Sequence, residues 1–254
     1  MKHKNTLLFL IAGVCILIIA YVASLKRVTI DDVWFINLDR DVERREHYRK
    51  LEPLFGVPVH RWPATNGRDM TRKEASQTYG ITTAITRSND AEENNKNPNI
   101  LHQPGVFGCW LSHKRLLTHL NTLPLPSSYG HLITEDDIIV PTDFQSQWNT
   151  IRQSIPYNWD MVYLYIGNPH GERIGPRILR WRNDAYSGNN GTVAYIVRHG
   201  ALPKILKELR YMDSPIDVQF YRHLGALNIY MVEPVLISTG DFDSSITHMN
   251  NNAT

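Results

Sequence analysis

The sequence has little cysteine and almost no excess of charge of either sign. Two cysteines, Cys15 and Cys109, occur among 254 residues, which excludes a disulfide framework and a cysteine-rich zinc module. Lysine and arginine number 27 against 25 aspartate and glutamate, and this balance argues against a nucleic-acid-binding protein, which concentrates basic charge. With 42% hydrophobic and 20% charged residues, the chain has the composition of a globular protein.

The first tenth of the chain is far more apolar than the rest. Residues 6–25 carry no charged side chain, and basic residues flank them on both sides. About 20 apolar residues in a helix span the roughly 30 Å hydrocarbon core of a bilayer, whereas the apolar part of a signal peptide is usually about 7–15 residues long. We therefore predict a tail and an uncleaved transmembrane signal anchor over 1–27. A cleaved signal peptide and a buried core helix are the alternatives.

The orientation of such an anchor is not decided by charge, because the basic residues on its two sides nearly balance. Two glycosylation sequons, at 190–192 and 252–254, suit a lumenal domain. We expect a single-pass membrane protein of the endoplasmic reticulum or Golgi with a lumenal globular domain. A cytoplasmic domain is the alternative.

The remainder, 28–254, contains no linker or internal repeat and is predicted to form one domain. An almost continuous apolar run at 33–38 is typical of a strand buried on both faces of a mainly parallel sheet. Residues 106–120 show the apolar spacing of a helix. Further strand patterns alternate with helical ones, which predicts an α/β fold with a mixed, mainly parallel sheet flanked by helices.

Three acidic residues follow the strand pattern at 131–134. Glu135, Asp136 and Asp137 repel one another at close range unless a cation binds among them. Ligands of open α/β sheets bind at the carboxyl ends of strands, and a hard divalent cation bridging to a diphosphate would relieve the repulsion. The alternative is a surface turn whose acids point into water.

Polar residues near two other elements are candidate binding residues. Asn37, Arg40 and Arg45 lie at the end of the first strand and the start of the next helix, where backbone N–H groups favour anions. A solvated helix face would carry the same charges. Ser112 and His113 are neighbours on a helix, so their side chains diverge and form no nucleophile–base dyad. The neighbouring Cys109 is typical of a small buried apolar residue.

Three later segments carry further candidates. Gly191 and Thr192 precede a strand pattern, and Asp217 opens a helical pattern, where a helix N-cap is the alternative to a functional carboxylate. Asp243 and His248 lie close together in a polar tail, where chance spacing is the alternative.

Taken in order, these segments resemble glycosyltransferase family 25, which includes lipooligosaccharide glycosyltransferases and collagen galactosyltransferase domains. The matching segments are FINLDRDVERR (35–45), GVFGCWLSHKRLL (105–117), LITEDDIIV (132–140), DMVYL (160–164), GTVAYIVRHGALPKIL (191–206), PID (215–217) and DFDSSI (241–246). Trp110 departs from the family pattern, which more often has a small residue there, and so does the Asn-rich stretch before Gly105.

The resemblance implies a GT-A-like nucleotide-sugar-binding fold, a UDP-sugar donor and Mn²⁺ or another divalent cation. It implies transfer of a hexose, commonly galactose, with inversion, to a hydroxyl of a glycan, lipooligosaccharide or glycoprotein. Asp136 and Asp137 would bind the metal, with Asp243 or His248 as a further ligand. Asp217 is our candidate for the catalytic base. The donor would be bound by Asn37, Arg40, Arg45, Ser112, His113, Glu135, Gly191 and Thr192.

Two other functions compete with this interpretation. One is a catalytically degenerate, membrane-tethered glycan-binding protein of the same fold. The other is a glycoside hydrolase, whose two carboxylates lie about 5–9.5 Å apart across a sugar. Adjacent acids at one strand end fit metal binding better than they fit hydrolysis.

Overall fold

An eight-stranded sheet forms the centre of the fold in the computed structural model, which describes residues 27–69, 77, 104–182 and 190–240. Its strands are β1 (Asp32–Asn37), β2 (Val59–Pro63), β3 (Gly130–Glu135), β5 (Met161–Gly167), β6 (Gly171–Gly175), β7 (Ile178–Trp181), β8 (Asn190–Arg198) and β9 (Ile229–Val232). They lie in the order β2-β1-β3-β8-β5-β9-β7-β6. A two-stranded sheet pairs β4 (Ile138–Ile139) with β10 (Ser238–Thr239).

The strand pairing makes this sheet mixed. β1 is parallel to both β2 and β3, and β5 is parallel to β9. β8 lies between β3 and β5 and is antiparallel to both. β7 is antiparallel to β9 and to β6. The predicted α/β class with a mixed sheet is confirmed, and its first part, β2-β1-β3, is the parallel segment that the apolar run at 33–38 indicated.

Helices cover both faces of the sheet, as predicted. They are α1 (Val42–Phe55), α2 (Pro104–Asn121), α3 (Phe144–Ile151), α4 (Leu202–Glu208) and α5 (Ile216–His223). Leu132 of β3 packs in the apolar cluster that includes α1 and α3, whereas its neighbour Ile133 packs in the cluster that includes α2, α4 and α5. The alternation of side chains along a strand thus supplies both layers of the core.

Trp110, which departs from the family pattern, is a core residue of α2. It is fully buried, and its Nε1 donates a hydrogen bond to Oε1 of Gln219 in α5 at 2.7 Å. The Gln219 amide nitrogen in turn donates to the backbone oxygens of Glu208 and Tyr211. The indole therefore fixes α2 against α5.

The membrane localisation predicted from the sequence requires correction. Within 27–69, 77, 104–182 and 190–240, no helix combines the length and the apolar composition that a bilayer crossing requires. This finding contradicts the predicted single-pass protein of the endoplasmic reticulum or Golgi, which is therefore not supported. The predicted anchor, 6–25, lies outside the described residues.

Candidate active site

A cleft opens at the carboxyl ends of β1 and β3, where open α/β sheets generally bind ligands. The space in it is about 700 Å³, including the open solvent at its mouth. Its walls are the end of β1 with the start of α1, the loop 64–67, one side of α2, and the acidic residues Glu135, Asp136 and Asp137. The predicted candidates Ser112 and His113 line it as well.

Both carboxylate oxygens of Asp136 are engaged by other side chains. Oδ2 accepts a hydrogen bond from Nδ2 of Asn37 at 2.6 Å, and Oδ1 accepts one from Nη1 of Arg44 at 2.8 Å. Burial raises the pKa of Asp136, and the hydrogen bonds from Asn37 and Arg44 oppose that shift. Asp136 therefore serves to join β1, α1 and the end of β3.

Asp137 presents a different arrangement. Its Oδ2 lies 3.3 Å from Nη1 of Arg44, whereas its Oδ1 is buried and has no hydrogen-bond partner among the described residues. A buried carboxylate oxygen without a partner is costly, and a bound cation or a water would satisfy it. Of the two acids predicted as metal ligands, Asp137 is the one with an oxygen left for a cation.

Glu135 is the third member of the acidic group. Burial, followed by the charges of Asp137 and Asp136, raises its pKa to about 8. Its Oε1 accepts a hydrogen bond from Oγ1 of the buried Thr192 in β8 at 3.3 Å. Thr192 and Glu135, both of which the resemblance assigns to donor binding, are therefore neighbours in the structure.

Ser112 and His113 hold the cleft wall in different ways. Oγ of Ser112 accepts from the backbone N–H of Thr65 at 2.8 Å and donates to the backbone oxygen of Gly108 at 2.6 Å. Nδ1 of His113 lies 2.8 Å from the hydroxyl of Tyr195 in β8. Burial lowers the pKa of His113 to about 3, so the imidazole is neutral. Ser112 thus fixes the loop 64–67 against α2, and His113 joins α2 to the sheet.

The arginine that contacts the acids is Arg44, between the two arginines predicted for the nucleotide pocket. The Arg40 side chain is 47% exposed and pairs with Asp41 at 3.6 Å, and Arg45 is half-buried; neither lines the cleft. The sequence contains one indication of this role of Arg44. Arg44 lies one helical turn before Tyr48, so the two side chains share a face of α1, and Tyr48 is fully buried against the sheet. The nucleotide-binding roles of Arg40 and Arg45 stay predictions.

Arg61 of β2 was also missed. It donates to Oδ1 of Asn37 at 2.8 Å and to the backbone oxygen of Asn37 at 3.1 Å, and it pairs with Asp39. The Arg61 guanidinium holds the pKa of Asp39 below its usual value. Arg61 thereby orients Asn37, whose amide nitrogen is then directed to Asp136.

Asp217 and Gly191 are joined by a hydrogen bond. Neither residue lines the cleft, although both lie next to it. Oδ2 of Asp217 accepts from the backbone N–H of Gly191 at 3.1 Å, and Oδ1 accepts from the N–H of Val218 at 2.9 Å. Gly191 has a φ of 96°, in the left-handed region that favours glycine. The charge of Asp217 is close enough to contribute to the raised pKa of Glu135. Its role as catalytic base stays a prediction.

The two remaining candidates, Asp243 and His248, lie outside the described residues. Their roles stay predictions. The matching segment at 241–246 lies there too.

Comparison with known proteins confirms the resemblance. The chain is 28% identical over 211 residues to a "Glycosyltransferase 25 family member" of Drosophila pseudoobscura pseudoobscura, across 78% of this chain. It is 23% identical over 209 residues to a protein of the same description from Anopheles gambiae. A "Procollagen lysyl hydroxylase and glycosyltransferase" of Acanthamoeba polyphaga mimivirus is 26% identical over 148 residues, 55% of this chain and 16% of that protein. No family model matches the chain.

The matched region spans 31% of the Drosophila pseudoobscura pseudoobscura relative and 33% of the Anopheles gambiae relative. The chain thus spans about a third of the length of these relatives. What the comparison establishes is sequence similarity to glycosyltransferases of family 25 over most of this chain.

Proposed function

We propose that the chain is a GT-A-like glycosyltransferase that moves a hexose from a UDP-sugar to a hydroxyl of a glycan, lipooligosaccharide or glycoprotein. Galactose is the first donor sugar to test. The similarity to family 25 proteins supports the class of activity. The observation that carries the proposal is the buried, unpartnered Oδ1 of Asp137 at the cleft in which β3 ends.

The acids of the cleft fit Mn²⁺ or another hard divalent cation, because such ions prefer carboxylate oxygens. Asp137 would hold the cation, while Asp136, with both oxygens engaged, would position Asn37 and Arg44 around it. Asp243 and His248 are proposed as further ligands. When bound, the cation supplies Lewis-acid stabilisation of the diphosphate leaving group.

The residues of the chain would perform an inverting, single displacement. The acceptor oxygen forms a bond to the anomeric carbon as the bond from that carbon to the UDP oxygen breaks, and a base takes the hydroxyl proton. We propose Asp217 as this base. Asp217→Asn keeps the size of the side chain and removes its basicity. We expect it to bind UDP normally and to lose transfer; retained transfer would exclude Asp217 as the base.

Donor binding would use the residues that shape the cleft. Arg44 and the loop 64–67, which Ser112 fixes, face the space in which a diphosphate would lie. Arg40 and Arg45 are proposed to contact the nucleotide from the start of α1. Gly191 and Thr192 are proposed to close the far wall, next to Glu135.

The test is a panel of UDP-sugars incubated with the full chain, with UDP release measured with Mn²⁺ and with a chelator. The proposal expects release from at least one UDP-sugar that requires the added cation. If no UDP-sugar is turned over under either condition, the proposed activity is wrong.

One observation favours a second candidate, a degenerate protein that binds a nucleotide or glycan without transferring it. The Arg44 guanidinium already contacts both Asp136 and Asp137 and offsets part of their negative charge without a metal ion. Under this alternative, UDP or glycan binds with the same affinity with and without Mn²⁺, and no sugar is released. A titration of UDP under both conditions separates the two candidates.

A further inference from the structure

The wall of the cleft brings together one sulfur, one nitrogen and one oxygen ligand. Ligand atoms of Cys109, His113 and Glu135 all lie within 4.8 Å of one another. Cys109 and His113 are one turn apart on α2, and Glu135 is the last residue of β3. A cation at their centre would therefore connect the helix to the strand end, at the border of the cleft.

The surroundings of these three side chains suit ligation. Nδ1 of the buried His113 is hydrogen-bonded to the Tyr195 hydroxyl, so Nε2 is the ring nitrogen that could bind a cation. A hydrogen-bonded second nitrogen is the usual way in which a histidine ligand is oriented. The pKa of His113, lowered by burial to about 3, keeps the imidazole in the neutral form that binds metals.

We propose that Cys109, His113 and Glu135 form a binding site for a thiophilic divalent cation of the Zn²⁺ class. Three protein ligands of sulfur, nitrogen and oxygen type leave a fourth tetrahedral position, which the cleft can supply with water or substrate. The site is distinct from the one proposed at Asp137, which offers oxygen alone. Sulfur ligands favour Zn²⁺ and Co²⁺ over Mn²⁺.

Binding at this site must displace the proton of the thiol. Burial raises the pKa of Cys109 well above its ordinary value, so the sulfur is protonated in the metal-free chain. When the cation binds, the metal–sulfur bond forms and the S–H bond breaks. The thiol proton leaves to solvent together with any proton on the Glu135 carboxyl, whose pKa burial raises to about 8. A neutral, half-buried thiol thus becomes a thiolate only with the cation present.

Co²⁺, a spectroscopic substitute for Zn²⁺, is the probe. The full chain is prepared with Cys15→Ser, which leaves Cys109 as the single thiol because the sequence has two cysteines. We expect a thiolate-to-cobalt charge-transfer band that saturates at one Co²⁺ per chain and disappears when Zn²⁺ is added. Mn²⁺ in excess should leave the band unchanged.

Ligand variants then test the geometry. In the same background, His113→Gln and Glu135→Gln each remove a ligand. Loss of a residue that only orients a ligand costs roughly 10–100-fold in metal affinity, so each of these variants should weaken Co²⁺ binding by more than that. Tyr195→Phe removes that partner of His113 and should fall within the 10–100-fold range. Asp143→Asn removes an exposed carboxylate away from the cleft and is the control, which should leave the band unchanged.

A second measurement does not depend on the folding of any ligand variant. In the Cys15→Ser chain, one equivalent of Zn²⁺ should protect Cys109 from alkylation, as followed by mass spectrometry, and a chelator should restore the reaction. The proposal is overturned if Co²⁺ gives no thiolate band, or if Zn²⁺ gives no protection. It is also overturned if both His113→Gln and Glu135→Gln bind Co²⁺ like their parent.

Discussion

Nη1 of Arg44 lies 2.8 Å from Oδ1 of Asp136, although the two residues are 92 positions apart in the sequence. The two side chains are 12% and 7% exposed, so water screens their charges poorly. The contact connects α1 to the turn that follows β3, and the same guanidinium reaches Asp137. The ion pair therefore determines how the acidic group is presented to the cleft.

Removal of Arg44 should destabilise the chain and make it more responsive to cations. Arg44→Ala leaves Asp136 buried with one oxygen unsatisfied, which we expect to cost about 1–3 kcal/mol in the free energy of unfolding. Mn²⁺ should recover part of the lost stability. The matched control is Arg45→Ala, the next residue on α1, which should change stability by no more than about 0.5 kcal/mol. Equal effects of the two variants in urea denaturation would contradict the assigned role of Arg44.

The indole hydrogen bond of Trp110 should contribute measurably to stability. Trp110→Phe leaves Oε1 of the buried Gln219 without its donor. Trp181→Phe is the control, because Nε1 of Trp181 is also buried but has no hydrogen-bond partner among the described residues. We expect Trp110→Phe to cost about 1 kcal/mol more than Trp181→Phe, since a hydrogen bond is lost in addition to ring area. If thermal unfolding shows the same loss of stability in both variants, the Trp110–Gln219 hydrogen bond does not contribute as predicted.

A methyl group at Gly108 should disturb the cleft. A Cβ there would lie 2.5 Å from the backbone oxygen of Thr65 and 2.8 Å from the backbone nitrogen of Gly67, so the loop 64–67 would have to move. We expect Gly108→Ala to lower turnover by up to about 100-fold, the effect of a displacement near 1 Å in an active site. At Gly175 the nearest atom to a Cβ is 3.5 Å away, so Gly175→Ala should have little effect. Unchanged turnover in Gly108→Ala would show that this loop does not shape the donor site.

His199, which contacts His131, should make stability depend on pH. Nδ1 of His199 lies 3.2 Å from Nε2 of His131. Burial, with a smaller contribution from His131, lowers the pKa of His199, and Asp32 opposes this shift. Below about pH 6.5 the unfolded chain binds a proton at His199 before the folded chain does, so stability is lost as pH falls through the lowered pKa.

The measurement is the free energy of unfolding of wild type and His199→Gln from about pH 8 to about pH 5, the interval that contains the ordinary pKa of histidine. Wild type should lose more stability than the variant as the pH falls. Parallel profiles would show that His199 does not contribute this dependence.

Most elements of the fold could be predicted from local patterns, and the exceptions have physical reasons. The buried strand β1 and the long helix α2 have apolar spacings that their sequences show directly. The hairpin β6–β7 was not predicted, because β6 is a polar strand at the sheet edge with no apolar alternation. The helix α3 was missed although Phe144, Trp148 and Ile151 recur at helical spacing and are buried.

Contacts between residues far apart in the sequence could not be predicted from it. β8 lies between β3 and β5 and is antiparallel to both. This arrangement depends on pairing between strands across the sheet, and no local sequence pattern encodes it. The acidic group could be located from its place after β3, but its partners could not. The contacts to Asp136 from Asn37 and Arg44 bridge 99 and 92 residues. Cys109, interpreted as a small buried apolar residue, does pack against the apolar core. That its sulfur also lies within 4.8 Å of ligand atoms of His113 and Glu135 could not be predicted from the sequence.

The most direct test of a metal-dependent transferase is the rate of UDP release with Mn²⁺ in wild type, Asp137→Asn and Asp143→Asn. Asp143 is an exposed acid away from the cleft and serves as the control for loss of one carboxylate. With the UDP-sugar that the panel identifies, Asp137→Asn should lose about 100-fold or more, the cost of removing one group that stabilises transition-state charge. Asp143→Asn should match wild type. An Asp137→Asn chain that releases UDP at the wild-type rate would contradict the account.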